Sequence, residues 1–70
     1  MSNWIPVEER LPEVGGDYLI CQQLKEGKEV VYSAFYDDIE KDFKTTDSNG
    51  WYKLKNITHW QRLPKPPKNT

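Results

Sequence analysis

Apolar residues in this chain fall into short clusters that alternate with period two, and each cluster ends at a glycine, a proline or a polar run. Tyr18-Leu19-Ile20-Cys21-Gln22-Gln23 and Glu29-Val30-Val31-Tyr32-Ser33-Ala34-Phe35-Tyr36 are rich in β-branched and aromatic residues, with Leu24-Lys25-Glu26-Gly27-Lys28 between them. Gly27 can supply the positive φ that a hairpin turn requires, so the stretch predicts two antiparallel strands. In the second, Val30, Tyr32, Ala34 and Tyr36 share one face, and Val31, Ser33 and Phe35 share the other. Apolar groups on both faces predict a sheet covered on both sides, by an N-terminal arm on one and by the tail or another subunit on the other.

Upstream, Pro6 and Pro12 bracket five residues and exclude a long helix, since each holds its predecessor extended. An extended arm with one turn at Val7–Arg10 follows, leaving Trp4, Ile5, Val7 and Leu11 to pack over the sheet, and Gly15-Gly16 bends the chain into its first strand. From Asp37 to Gly50 the composition becomes polar, which predicts a long loop over 37–50 with room for a short helical turn at Ile39–Phe43. Asn49-Gly50 then reads as a turn into a second hairpin, Trp51–Leu54 and Ile57–Leu63 joined by Lys55-Asn56. Residues 1–3 and 65–70 are expected to be flexible ends, the latter a polyproline-like exit through Pro64, Pro66 and Pro67. The expectation is a mainly β chain, one antiparallel domain over residues 1–70 with about four strands in two hairpins.

Length and composition narrow this further. A domain of seventy residues buries only about 60% of the surface its unfolded chain exposes. Cys21 is the single cysteine and His59 the single histidine, so there is no internal disulfide, and His59 alone cannot complete a four-ligand zinc site. The nine aromatic residues must build the core, and a homo-oligomer would hide more of them. Ten basic and eleven acidic residues, with a pI near 5.7, leave no field that would hold a nucleic acid or an anionic membrane. Met1-Ser2-Asn3-Trp4-Ile5-Pro6 does not resemble a signal peptide, and no apolar run reaches transmembrane length, so the expected compartment is a reducing cytoplasm without a membrane partner.

Chemistry-bearing patterns are few. His59 and Cys21 would form a base and nucleophile only if the strands bring them together, and no motif supplies an orienting group or an oxyanion hole. Asp47-Ser48-Asn49-Gly50 is similar to the start of a calcium loop, but aligning on the glycine puts Thr45 at the first ligand position and Asn56 at the twelfth, so a polar turn explains it. Trp51, Tyr52, Trp60 and Tyr36 alternate with Lys53, Lys55 and Arg62 as in stacking surfaces for nucleotides, against which stands the need for the same rings in a small core. Pro64-Lys65-Pro66-Pro67 has a P-x-x-P spacing that an aromatic groove could read. No catalytic set, cofactor site or metal site is expected from these patterns.

Trp4-Ile5-Pro6-Val7 with Glu9-Arg10-Leu11-Pro12 at one end, and Ile57-Thr58-His59-Trp60 with Leu63-Pro64 and Pro66-Pro67 at the other, resembles a family of small phage and prophage proteins known as domain of unknown function 551. Tyr36 stands where relatives often carry tryptophan. The resemblance implies a noncatalytic accessory protein that binds a host protein, with inhibition of a defence system as one outcome, in the cytoplasm of a bacterial host. On that reading the acidic loop of Asp37, Asp38, Glu40, Asp42 and Asp47, with Phe43, forms the contact surface together with exposed aromatics. The alternative is a binder that sequesters a nucleotide signal through Arg10, Arg62, Tyr36, Trp51, His59 and Trp60 at an oligomer interface.

Overall fold

The central hairpin forms where the alternation places it. The computed structural model describes residues 3–64, and β2 (Gly16–Gln23) pairs with β3 (Glu29–Asp37) in unbroken antiparallel register from Gly16↔Tyr36 to Gln23↔Glu29. A turn over Lys25–Gly27 joins them, with Gly27 at φ 76° and Glu26 also left-handed at φ 63°. The proline-rich exit and its P-x-x-P spacing fall almost wholly on residues 65–70, which lie outside the described residues, as do Met1 and Ser2.

Among the described residues, four further strands complete one antiparallel sheet: β1 (Ile5–Pro6), β4 (Asp42–Asp47), β5 (Gly50–Lys53) and β6 (Ile57–Arg62), in the order β1-β6-β2-β3-β4-β5. The chain is thus mainly β and antiparallel, as expected, in a single small domain. It has six strands rather than about four, and the expected 37–50 loop is itself a hairpin. Asp37 Oδ1 accepts the N–H groups of Ile39 (2.9 Å) and Glu40 (3.1 Å), and Lys41 N–H returns to the Asp37 carbonyl at 2.7 Å. This hydrogen-bonded turn replaces the helical turn expected at Ile39–Phe43: Ile39 projects into solvent while Phe43 enters the core.

The second hairpin also differs from expectation. β5 pairs with β4 through a turn at Ser48-Asn49, whereas β6 pairs with β2 and with the arm strand β1. Lys55-Asn56 is therefore part of a crossover rather than a hairpin loop. A flat sheet would set β5 and β6 four spacings apart, roughly 19 Å, whereas the four steps from Lys53 to Ile57 span at most about 14 Å. The sheet must curl to let the chain cross. Gln22 fastens the crossover, donating from Nε2 to the Lys55 carbonyl at 2.8 Å while its Oε1 accepts from Tyr32 at 2.7 Å.

The concave face holds the core, made of Ile20, Ala34, Tyr36, Phe43, Leu54 and Trp60, with Ile5, Val7, Leu11, Tyr18, Tyr32 and Ile57 packed against it. The arm turns at Val7–Arg10 as expected, with Glu9 and Arg10 N–H both directed at the Pro6 carbonyl, and lies over this face. Two side chains dock it: Trp60 Nε1–H donates to the Arg10 carbonyl at 2.9 Å, and Tyr18 O–H to the Val14 carbonyl at 2.6 Å. At Gly15 a Cβ would stand 3.2 Å from the Tyr36 carbonyl, so the arm meets β3 at that point through bare backbone.

Candidate functional site

The convex face of the sheet is where structure and expectation part. Residues one step out of phase with the core point away from it, and among the described residues nothing packs over them: Val31 is 57% exposed, Trp51 63% and Phe35 38%. The arm covers one side, and the tail expected on the other falls on residues 65–70, outside the described residues. The arm and the crossover both go to the concave side because that is where the larger rings of β2, β3 and β6 point.

Two regions organise this open face. At one end Phe35 on β3 and Trp51 on β5 stack at 5.7 Å between ring centroids with a 60° tilt, and with Asp17, Ser33, Lys44 and Thr46 they border a shallow depression. Tyr52, next to Trp51 on the short edge strand, alternates to the opposite face. At the other end Trp4, Cys21, Glu29, Val31 and His59 line an open cleft of about 380 Å³. Cys21 and His59 are register partners on β2 and β6, and Thr58 bulges out of the pairing beside them, since Gln22 pairs with Ile57. The strands thus do bring the thiol and the imidazole side by side. Cys21 Sγ lies 3.8 Å from Glu29 Oε2, and His59 Nδ1 lies 2.9 Å from Thr58 Oγ1.

Three of the acidic residues are drawn together by a lysine. Asp37, Glu40 and Asp42 fold around the ammonium of Lys44, which lies 3.0 Å from Asp37 Oδ2, 3.9 Å from Asp42 Oδ1 and in contact with Glu40 Oε1. The Glu40 N–H, then Lys44 and the Ile39 N–H, hold the Asp37 carboxyl below its ordinary range. Hydrogen bonds from Lys44 to Glu40 and Asp37 raise the Lys44 ammonium well above its own. These three carboxylates are the described group whose oxygens come close enough to share a cation, and the cation they share is Lys44. Asp38 stays exposed in the turn, and Asp47 sits at the far end of β4, where its Oδ1 accepts the Asn49 N–H at 2.7 Å. Phe43, expected on the contact surface, is 4% exposed and belongs to the core.

The alternative ligand set is not assembled either. Tyr36 and Trp60 are buried in the concave core, Trp51 and His59 lie at opposite ends of the convex face, and Arg10 and Arg62 are exposed at the surface. Burial first, then the carboxylates of Asp38, Asp42 and Asp37, raises the Tyr36 phenol above its ordinary value, which suits a core ring. Sequence reasoning missed Trp4, Glu29, Val31 and Phe35 as surface features. The signal was available, because Val31 and Phe35 share the second parity of β3, but that parity was assigned a covering partner.

No described helix is long and apolar enough to cross a membrane. No curated protein and no solved structure matches this chain. A family profile does match, over residues 3–68, and so covers both terminal motifs and the whole sheet between them. The chain therefore belongs to the family described as protein of unknown function (DUF551).

Proposed function

We propose that this chain is a noncatalytic protein-binding module whose contact surface is the Phe35–Trp51 end of the convex face. The observation that supports this most directly is the packed, solvent-exposed ring pair of Phe35 and Trp51. Aromatic rings held on a rigid sheet bury much area at little entropic cost, which is how interface anchors work. Beside them Asp17 stays exposed, while Asp37, Glu40 and Asp42 are engaged by Lys44. The complementary partner presents an apolar recess with basic groups at its rim. The partner as a host protein, and inhibition of a defence system as the outcome, rest on the phage and prophage character of the family that the terminal motifs resemble.

The test is affinity capture from bacterial lysate with three baits: the native chain, Trp51→Ala, and Glu13→Lys on the arm. A stoichiometric partner held by the native chain and by Glu13→Lys but lost by Trp51→Ala supports the assignment. Equal capture by all three baits, or release of a heat-stable small molecule with no protein partner, refutes it.

A further inference from the structure

We infer that the cleft formed by Cys21, Glu29 and His59 is a binding site for one soft divalent metal ion of the zinc class. The inference goes beyond the protein-binding reading and does not depend on it. Three observations converge on the cleft. The first is the donor set: thiol, imidazole and carboxylate are the side chains that zinc-class ions take, and their mixture of sulfur, nitrogen and oxygen disfavours magnesium and calcium. These three groups line one cavity of about 380 Å³.

The second observation is spacing. A tetrahedral ion at about 2.3 Å from sulfur and about 2.0–2.2 Å from oxygen holds those two atoms roughly 3.5–3.7 Å apart. Cys21 Sγ and Glu29 Oε2 stand 3.8 Å apart, so little adjustment separates them from a chelating pair. Cys21 and His59 are direct cross-strand partners, whose Cβ atoms in such a pair lie about 4.5–5.5 Å apart. As it stands the cleft is not a closed coordination sphere, because the three donors do not all approach one another as the Asp37, Glu40 and Asp42 oxygens do. A closed sphere requires the side chains to adjust until all three donors reach one point.

The third observation is the setting. The bulge at Thr58 falls next to His59 and turns the local backbone, a device that re-aims a side chain without disturbing the flanking pairs. Thr58 itself is pinned, donating from Oγ1 to the Cys21 carbonyl at 3.3 Å and lying 2.9 Å from His59 Nδ1. Trp4 and Val31 wall the cleft with apolar surface, which limits water around bound metal and strengthens its bonds to charged ligands. Binding releases the Cys21 thiol proton to solvent, leaves the imidazole neutral, and keeps a fourth position for water or a partner's side chain.

Cobalt(II) is the probe, titrated into the full chain under a phosphine reductant, with zinc(II) as competitor. The expected result is one cobalt per chain, a sulfur-to-cobalt charge-transfer band with the intense ligand-field bands of a four-coordinate ion, displacement by zinc, and a higher Tm with zinc present. Cys21→Ser abolishes the charge-transfer band. Groups that only support a ligand are worth about ten- to a hundredfold in affinity, so Glu29→Gln and His59→Gln, each removing a ligand, weaken binding by at least that much. Glu29 is exposed at the first position of β3, so its substitution leaves the core intact and keeps the test valid if the His59 variant misfolds. Three results overturn the site: no charge-transfer band in excess cobalt, native affinity in Glu29→Gln, or one ion shared by two chains.

Discussion

Replacing Trp60 by phenylalanine tests how the arm is held to the sheet. Trp60 is 6% exposed, pairs with Ile5 on one side and Ile20 on the other, meets Tyr18 edge-on at 5.3 Å, and donates its indole N–H to the Arg10 carbonyl. Phenylalanine keeps an aromatic ring in place but deletes the donor and the outer part of the indole. The hydrogen bond contributes about 1 kcal/mol net, and the lost apolar volume, worth one or two methylenes, about 1–2 kcal/mol more. The expected loss is therefore about 2–3 kcal/mol, a large share of the roughly 3–10 kcal/mol that a chain of this length has in total. At about 4–8 °C per kcal/mol, Tm falls by roughly 8–24 °C. Urea unfolding followed by far-ultraviolet circular dichroism measures the loss without relying on tryptophan fluorescence. Hydrogen exchange locates it: the Glu9 and Arg10 amides, bonded to the Pro6 carbonyl, should lose more protection than the β3 amides. A midpoint within about 0.5 kcal/mol of native, a size typical of inert surface changes, with unchanged exchange in the arm, would refute the role assigned to this tryptophan.

Two further perturbations probe the β3–β4 turn. Lys44→Met destabilises the domain at neutral pH, because Asp37, Glu40 and Asp42 then face one another without their shared cation and Asp42 Oδ1 is already buried without a hydrogen-bond partner. The raised Lys44 pKa means its contribution is fully present below the ordinary value of 10.5 and is lost as pH rises through the higher folded value, so the gap between native and variant urea midpoints should close only above pH 10.5. The lowered Asp37 pKa has the opposite sense: its contribution is present above the ordinary value of 3.8 and disappears as pH falls through the folded value, and a native acid limb that showed no such loss would contradict the turn's hydrogen bonding. Lys41 sits at φ 60° in the same turn; a side chain there costs roughly 1 kcal/mol that glycine avoids, so Lys41→Gly should raise the thermal midpoint, and a lower midpoint would count against this backbone geometry.

What could be read in the sequence follows from where the periodicity was dense. β2 and β3 carry an apolar residue at nearly every second position, and both strands and their turn lie where the pattern put them. β4, by contrast, is Asp-Phe-Lys-Thr-Thr-Asp. It offers one buried side chain, Phe43, and is held by backbone pairing, by the Asp37 cap and by Lys44, none of which has a period to detect. The β5–β6 mispairing has a similar origin: Lys55-Asn56 has hairpin chemistry, and Asn56 does adopt φ 62°, but the left-handed residue serves a crossover instead. Pairing partners are a tertiary decision, and local turn residues do not determine it. At the site, the parity of Val31 and Phe35 was legible, whereas the approach of Cys21 to His59 depended on β6 returning beside β2 across the sheet.

The route of that return explains why one face is left open. Once the three residues between β5 and β6 cross the curled sheet, they occupy the concave side together with the arm, and Leu54, Trp60 and Tyr36 close a core there. Among the described residues nothing further is laid over Val31, Phe35 and Trp51, which stay exposed to water. A sequence under pressure only to fold would put polar residues at those positions, as Asp17, Ser33 and Thr46 already are. Instead Val31, Phe35 and Trp51 stand there, two of them as a packed ring pair and one beside a thiol, an imidazole and a carboxylate. Phe35 and Trp51 cover part of each other and leave the rest of both rings in water. The proposed partner surface and the proposed metal cleft both fall on this open face, one at each end.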